Sequence, residues 1–194
     1  MFKYSIAIAV MAAMLSACGQ SSIRPGSSLQ VDARSSVLVF GMQPNARIHL
    51  IRGDIADGLW ERPLLTDSAE VNAFPSEDGY IVVKLRPTKA TEKLAVSLVF
   101  PDGKPYGPCN GDRTPTFTLL PGKITYAGDI NYRVNESTLS FSISSDVEKA
   151  RTYVTSRFQG VGAFEFHPME VMPVRNVPCG PNMIMIPIYL PRSR

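Results

Sequence analysis

The reactive side chains of this 194-residue sequence are few: three cysteines, two histidines and one tryptophan flanked by carboxylates. Asp54, Asp57 and Glu61 surround Trp60 in the stretch RGDIADGLWERP. Two carboxyl groups beside a sugar can cleave a glycosidic bond, one protonating the leaving oxygen while the other acts as base or nucleophile. The same residues also describe a solvated loop with one anchoring tryptophan, and we read them so, keeping an envelope-glycan-acting enzyme as the alternative. His49 falls inside an alternating apolar stretch and His167 precedes Pro168. Neither stands in a G-x-S-x-G or H-E-x-x-H motif, so no catalytic residue is assigned and no enzyme is expected. The softest ligands lie in HPMEVM, which contributes His167, Met169 and Met172, and in MIM, which contributes Met183 and Met185. Imidazole and thioether suit Cu(I), which makes periplasmic copper binding through His167, Met169 and Met172 a second alternative. Methionine also fills irregular cores, and Met183 and Met185 alternate with Ile184 and Ile186. We therefore assign no metal and no cofactor.

Cys18 has a different context. Lys3 is followed by an unbroken apolar run, Ile6 to Leu15, and then by the small residues Ser16 and Ala17. A charged start, an apolar middle and a small-residue end make a secretory signal peptide. The run falls short of the about 20 apolar residues that a spanning helix needs. Leu15-Ser16-Ala17-Cys18 resembles the lipobox of bacterial lipoproteins. That resemblance implies a diacylglyceryl group on the Cys18 thiol and cleavage between Ala17 and Cys18. It also implies anchoring in the cell envelope, at the outer membrane because Gly19, not Asp, follows the cysteine. One acyl chain binds a membrane only marginally, whereas two or more hold it stably. The expected organisation is a signal peptide over 1–17, a lipidated flexible tether over 18–36 and a single β-rich domain over 37–194.

Once lipid occupies Cys18, Cys109 in YGPCNGD and Cys179 in NVPCGPN remain. Two cysteines in Pro/Gly turns of an exported chain predict a disulfide. Closing so long a loop stabilises by roughly 4 kcal/mol in the chain-entropy model. No C-x-x-C redox motif is present. The formal net charge is +3 with no block of Lys or Arg, which argues against nucleic acid as a partner. The expected partners are the membrane, through the lipid, and a protein or glycan of the envelope.

The elements that must position these residues are mainly strands. SVLVFGM, GYIVVKLRP and KLAVSLVF are short apolar runs stopped by Gly or Pro. ARIHLIRGD puts Ile48 and Leu50 on one face and Arg47, His49 and Ile51 on the other. STLSFSIS alternates Leu139, Phe141 and Ile143 with hydroxyls, the pattern of a strand with one wet face. TFTLLPGKITYAGDINYRV reads as strand, Pro121-Gly122 turn, strand. One amphipathic helix is expected near 146–159, opened by a Ser145/Glu148 capping box and ended at Gly160. NMIMIPIYLPRSR reads as a last strand, with Pro187 confining it to an edge or a bulge. Many short strands and one helix predict a β-sandwich or small barrel. The Leu-x-Pro-Gly-x-x-Tyr stretch from Leu119 to Tyr126 is similar to hairpins of prealbumin-like sandwich domains and of envelope lipoproteins built on them, a resemblance that implies a fold and no activity.

Overall fold

The computed structural model describes residues 22–63, 69–89, 92–135 and 138–177. Eleven strands and one helix follow in the order β1 (Ser36–Gln43), β2 (Arg47–Ala56), β3 (Leu59–Glu61), β4 (Val71–Ala73), β5 (Tyr80–Leu85), β6 (Glu92–Phe100), β7 (Arg113–Thr118), β8 (Ile124–Asn135), β9 (Thr138–Ser144), α1 (Val147–Arg157), β10 (Phe164–Phe166) and β11 (Glu170–Arg175). They form two sheets. In the first, β5, β1 and β8 lie side by side, and the long β8 takes β10 along its first half and β9 along its second. In the second, β2 pairs β6, β6 pairs β7, β7 pairs β11, β11 pairs β3, and β3 returns to β2. That ring is a closed five-stranded barrel, with β4 paired to β2 along the edge that β3 takes farther on. The expected mainly β fold, with strands arranged as a sandwich or small barrel and one helix, is what the described residues adopt.

Side-chain alternation divides the interior into three cores. The largest lies between the two sheets and takes Leu38, Phe40 and Met42 from β1, Ile48 and Leu50 from β2, and Phe117 from β7. A second lies on the other face of the first sheet, where Val37, Val39, Val82 and Tyr126 meet Ala150, Tyr153 and Val154 of α1. The third fills the barrel with Ile51, Trp60, Ala95, Val174 and Val177. The continuous run SVLVFGM is explained by this layering, because β1 is buried on both faces. Ile48 and Leu50 point to the first core and Ile51 to the third, as the alternation requires.

Several expectations need correction. Pro121-Gly122 does form a turn, with Lys123 N–H donating to the Leu120 carbonyl at 3.2 Å and Gly122 at φ +74°, as a type II turn requires. It does not close a hairpin. β7 belongs to the barrel sheet and β8 to the other, so the turn carries the chain between layers. The helix is capped by Asp146, not Ser145: the Asp146 carboxylate accepts the Lys149 N–H at 3.0 Å. Phe158, extended at φ −129°, ends the helix two residues before Gly160. Residues 22–36 are not a free tether. Leu29 is fully buried in the second core, with Ile23 and Val31 packed against it, and Gly26 and Leu29 donate to the carbonyls of Arg157 and Gln159. The segment covers sheet surface that the short helix leaves bare. The expected strand from Asn182 lies outside the described residues.

Tyr132 breaks the usual rule for buried polar groups. Its hydroxyl is sealed in the inter-sheet core with no hydrogen-bond partner, and burial pushes its pKa far up. An unmet buried hydroxyl is destabilising, while the ring edge it sits on is well packed against Phe141 at 5.9 Å between centroids. Tyr132→Phe is therefore expected to raise the free energy of unfolding by about 1 kcal/mol, read as a higher urea midpoint at unchanged slope.

Candidate functional site

The most perturbed titratable cluster lies where α1 meets the first sheet. β8 carries a bulge there: the register against β1 slips between Val39 and Gly41, and Gly128 takes φ +106°, a conformation that favours glycine. The slip turns Asp129 toward the helix. Its carboxyl lies over Gly41, where an added Cβ would meet Asp129 Oδ1 at 2.1 Å, so the missing side chain of Gly41 makes the space. Burial holds the Asp129 pKa above the ordinary carboxylate range, against hydrogen bonds from Tyr126 and Gly41 and the charge of Lys149. The Tyr126 hydroxyl accepts the Asp146 N–H at 3.2 Å. Next to it, the Tyr80 and Tyr153 rings stack at 4.5 Å, and burial pushes the Tyr80 phenol up to about 12. The Tyr153 hydroxyl donates to Ser76 Oγ at 3.0 Å.

A cavity of about 460 Å³ opens above these phenols, with Lys149, Thr152 and Ser156 along the helix and an Asp78–Arg157 ion pair of 3.0 Å across one side. The chemistry here is that of a latch. Asp129 Oδ1 is sealed from solvent without a partner, and Tyr80 and Tyr153 are only 3 % and 7 % exposed. The cluster fixes α1 to the sheet. Because the folded state raises the Asp129 pKa, Asp129 adds stability when protonated. That contribution is present at acid pH and lost as pH rises through its folded pKa. Asp129→Asn keeps an acceptor for Tyr126 and removes the titration. The variant is expected to match the native chain near the acid end and to exceed it in stability at neutral pH, measured by urea unfolding across a pH series. A constant difference at all pH values would refute this.

A second cavity, of about 410 Å³, opens at the foot of β5 between Ser35, Lys84, Leu85 and Arg86, with Arg52 and Glu70 on its far side. Arg52 bridges two acids, Glu92 at 2.5 Å and Glu70 at 2.6 Å. Burial opposes its charge, but the two carboxylates outweigh burial and raise its pKa. Glu92 is lowered in the same way: burial pushes it up, and hydrogen bonds from Thr88 together with Arg52 win. This triad ties β2 and β6 together at the open end of the sandwich.

The residues singled out by sequence fall elsewhere: the structure keeps the three acids together, with Asp54 opposite Glu61 in the β2–β3 pairing and Asp57 and Glu61 sharing one arginine, and separates the histidines and methionines. Asp54 pairs with Lys89 at 2.9 Å, while Glu61 and Asp57 both meet Arg175, at 2.7 Å and 3.5 Å. Trp60 is 1 % exposed, inside the barrel, and its Nε1 donates to the Lys93 carbonyl at 3.2 Å. It offers no face on which a sugar could stack. The loop is a hairpin, β2–β3, whose Asp57-Gly58 turn, at φ +52° and +74°, is an Asp-Gly pair of the kind that closes two-residue hairpins. Met169 packs in the inter-sheet core and Met172 against the barrel core, so two thioethers three residues apart point into different compartments. The His167 backbone N–H donates to the Tyr126 carbonyl at 2.9 Å. Met183 and Met185 lie outside the described residues. His49 lies against Phe100 at 4.9 Å between centroids, with its pKa lowered first by burial and then by Arg47.

Cys109 is disulfide-bonded. The following Asn110 N–H donates to the Val177 carbonyl at 2.8 Å, which brings the chain leading to Cys179 beside it. Cys179, Ala17 and Cys18 lie outside the described residues. Among the described residues no helix is long and apolar enough to cross a membrane, and no three His, Cys, Asp or Glu side chains gather as metal ligands. The chain matches no protein-family model, no curated protein and no solved structure. Its class is therefore given by its own architecture: a β-rich domain of one open sheet on one barrel.

Proposed function

We propose that this chain is an exported, lipid-anchored envelope protein whose domain binds or assembles and does not catalyse. The observation that carries the proposal is the sequence Leu15-Ser16-Ala17-Cys18, which follows an apolar run and stands four residues ahead of Ser22. Lipid on Cys18 holds the domain at the membrane, with the outer membrane of a Gram-negative envelope as its address. Cys109 is paired with Cys179, which leaves Cys18 to the lipid. The partner is a protein or glycan of the envelope. The ion pairs at Asp54, Asp57 and Glu61 and the burial of Trp60 favour this reading over glycan cleavage.

Intact mass of protein extracted from cell envelopes tests the reading, measured before and after reduction and alkylation. The expected species begins at Cys18, carries added acyl mass and gains alkyl groups at Cys109 and Cys179 only after reduction. A chain that begins elsewhere without lipid would overturn the anchor. Alkylation of Cys179 without reduction would overturn the pairing.

A further inference from the structure

The place where the described chain begins is fastened to one edge of the fold. Ser22 sits on β5: Val82 N–H donates to Ser22 Oγ at 3.2 Å, and Ser22 Oγ donates to the Val82 carbonyl at 3.3 Å. Ile23 N–H donates to the same carbonyl at 2.6 Å. Within its sheet β5 is the end strand, with β1, β8 and then β9 and β10 stepping away from it. The first residues are thus attached to the middle of one edge, and β9 and β10 form the opposite edge.

This inference rests on the reading of Cys18 as the lipid site. Four peptide units separate residue 18 from Ser22, and whatever path they take they span at most about 14 Å. A folded unit of this size has a radius of gyration of about 15 Å. A link no longer than that radius keeps the attachment point close to the surface in which the lipid sits and leaves the orientation about it to other contacts. The β5 edge thus lies within about 14 Å of the bilayer, where a modest attraction decides whether it rests on the headgroups.

The charges near that edge are unequal along its length. Toward the end of β5, Lys84 is half-buried and Arg86 is exposed, and Arg24 is exposed beside the attachment point. Lys84 Nζ donates to the Gln30 carbonyl at 2.5 Å, which holds its ammonium at the surface of the segment that leads from Ser22. Two acids lie among these groups: Asp32, whose carboxylate accepts the Arg34 N–H at 2.8 Å, and Glu70, which lines the same cavity as Lys84 and Arg86 and is taken by Arg52 at 2.6 Å. Glu77 and Asp78 precede β5 and lie at its other end, where Asp78 is taken by Arg157. Guanidinium and ammonium groups bind phosphate oxygens through charge-assisted hydrogen bonds. Basic groups held near an anionic leaflet add to membrane attraction.

We propose that Arg24, Lys84 and Arg86 dock the β5 edge onto the anionic headgroups of the bilayer that holds the Cys18 lipid, which leaves the β9–β10 edge turned away from the membrane. The lipid supplies attachment and the three cations supply orientation.

The test uses the full lipidated chain in vesicles of phosphatidylethanolamine and phosphatidylglycerol carrying a headgroup quencher. A fluorophore is placed through Pro25→Cys, near the edge, or through Arg133→Cys, on the far side of the sheet. Strong quenching at position 25 and little at 133 is expected. Arg24→Glu with Arg86→Glu, or phosphatidylcholine vesicles, should lower quenching at 25, by about fivefold in docked population for each lost attraction. Equal quenching at the two positions, or quenching at 25 that ignores charge reversal, would overturn the docking. Intact mass of the same samples separates the two ideas: lipid present with equal quenching sinks the docking alone, and lipid absent sinks the anchor and the docking together.

Discussion

Trp60→Ala is expected to cost about 3–5 kcal/mol of stability, the range for emptying a large buried aromatic site. The indole is the centre of the barrel core, in contact with Ile51, Ala95, Val174 and Val177. It joins strands that are distant in sequence, because β3 pairs with β11 through Val174↔Trp60 and Arg175↔Glu61. Without it the ring of strands encloses a void and Lys93 loses a donor to its carbonyl. Gly53 is part of the same arrangement. A Cβ there would meet Trp60 Cε2 at 2.3 Å and the Glu61 carbonyl oxygen at 2.4 Å. The indole lies against bare backbone, and Gly53→Ala alone is expected to cost about 1–3 kcal/mol by overpacking. In the Trp60→Ala background the ring clash is gone and only the backbone clash remains. The two effects should then sum to more than the double variant loses, a coupling of the kind seen between touching residues. Urea unfolding of the two single variants and the double one measures this. Circular dichroism must report it, because Trp60 is the only tryptophan. A Trp60→Ala variant within about 1 kcal/mol of the native chain, the size of an ordinary substitution, would mean that the barrel is not closed around the indole.

Strand existence was legible in the sequence wherever the burial pattern was local. Leu139 and Phe141 alternate with serines because one face of β9 is wet, and SVLVFGM is unbroken because β1 is covered twice. Pairing was not legible. The Pro121-Gly122 turn has the same local chemistry whether the chain returns along its own strand or crosses to another sheet, and the crossing is decided by β8 finding β1 in parallel. Barrel closure depends on β11, a strand that contains Pro173 at the register position opposite Arg113. Short runs with a proline carry little period-2 signal, so Met169 and Met172 looked like ligands when they were alternate faces of core. The acids around Trp60 were legible as a cluster, but whether the ring faced water depended on β3 alternation, with Leu59 and Glu61 half-buried on either side of a buried residue. Asp129 was not singled out, since its inward turn follows from a bulge at Gly128 and from bare backbone at Gly41. Neither glycine sits in a recognisable turn motif.

Leu29→Ala carries the second large effect, and it bears on both stability and attachment. In a free tether this substitution would change nothing. Leu29 is fully buried among Val37, Tyr80, Tyr126 and Phe158, so its truncation is expected to cost about 2–5 kcal/mol. Gln30→Ala, at an exposed neighbour, is the control and should stay within about 0.5 kcal/mol. Sparse apolar residues in GQSSIRPGSSLQVDARSS gave no period from which to read this, yet three of them find the strip of sheet beside α1. The segment is held by few side chains, so the loss is expected to appear first as local opening. Hydrogen exchange should show the amides of Gly26 and Leu29, bonded to Arg157 and Gln159, losing protection before those of β1. Release would lengthen the link between the lipid and the fold. Residues 18–35 as a coil would reach about 23 Å, against about 14 Å for four peptide units at full stretch. The β5 edge would then be free to leave the headgroups, and quenching at position 25 should fall in the Leu29→Ala chain even though every cation is intact. Unchanged quenching together with lost amide protection would show that the three cations hold the edge at the membrane without the short link.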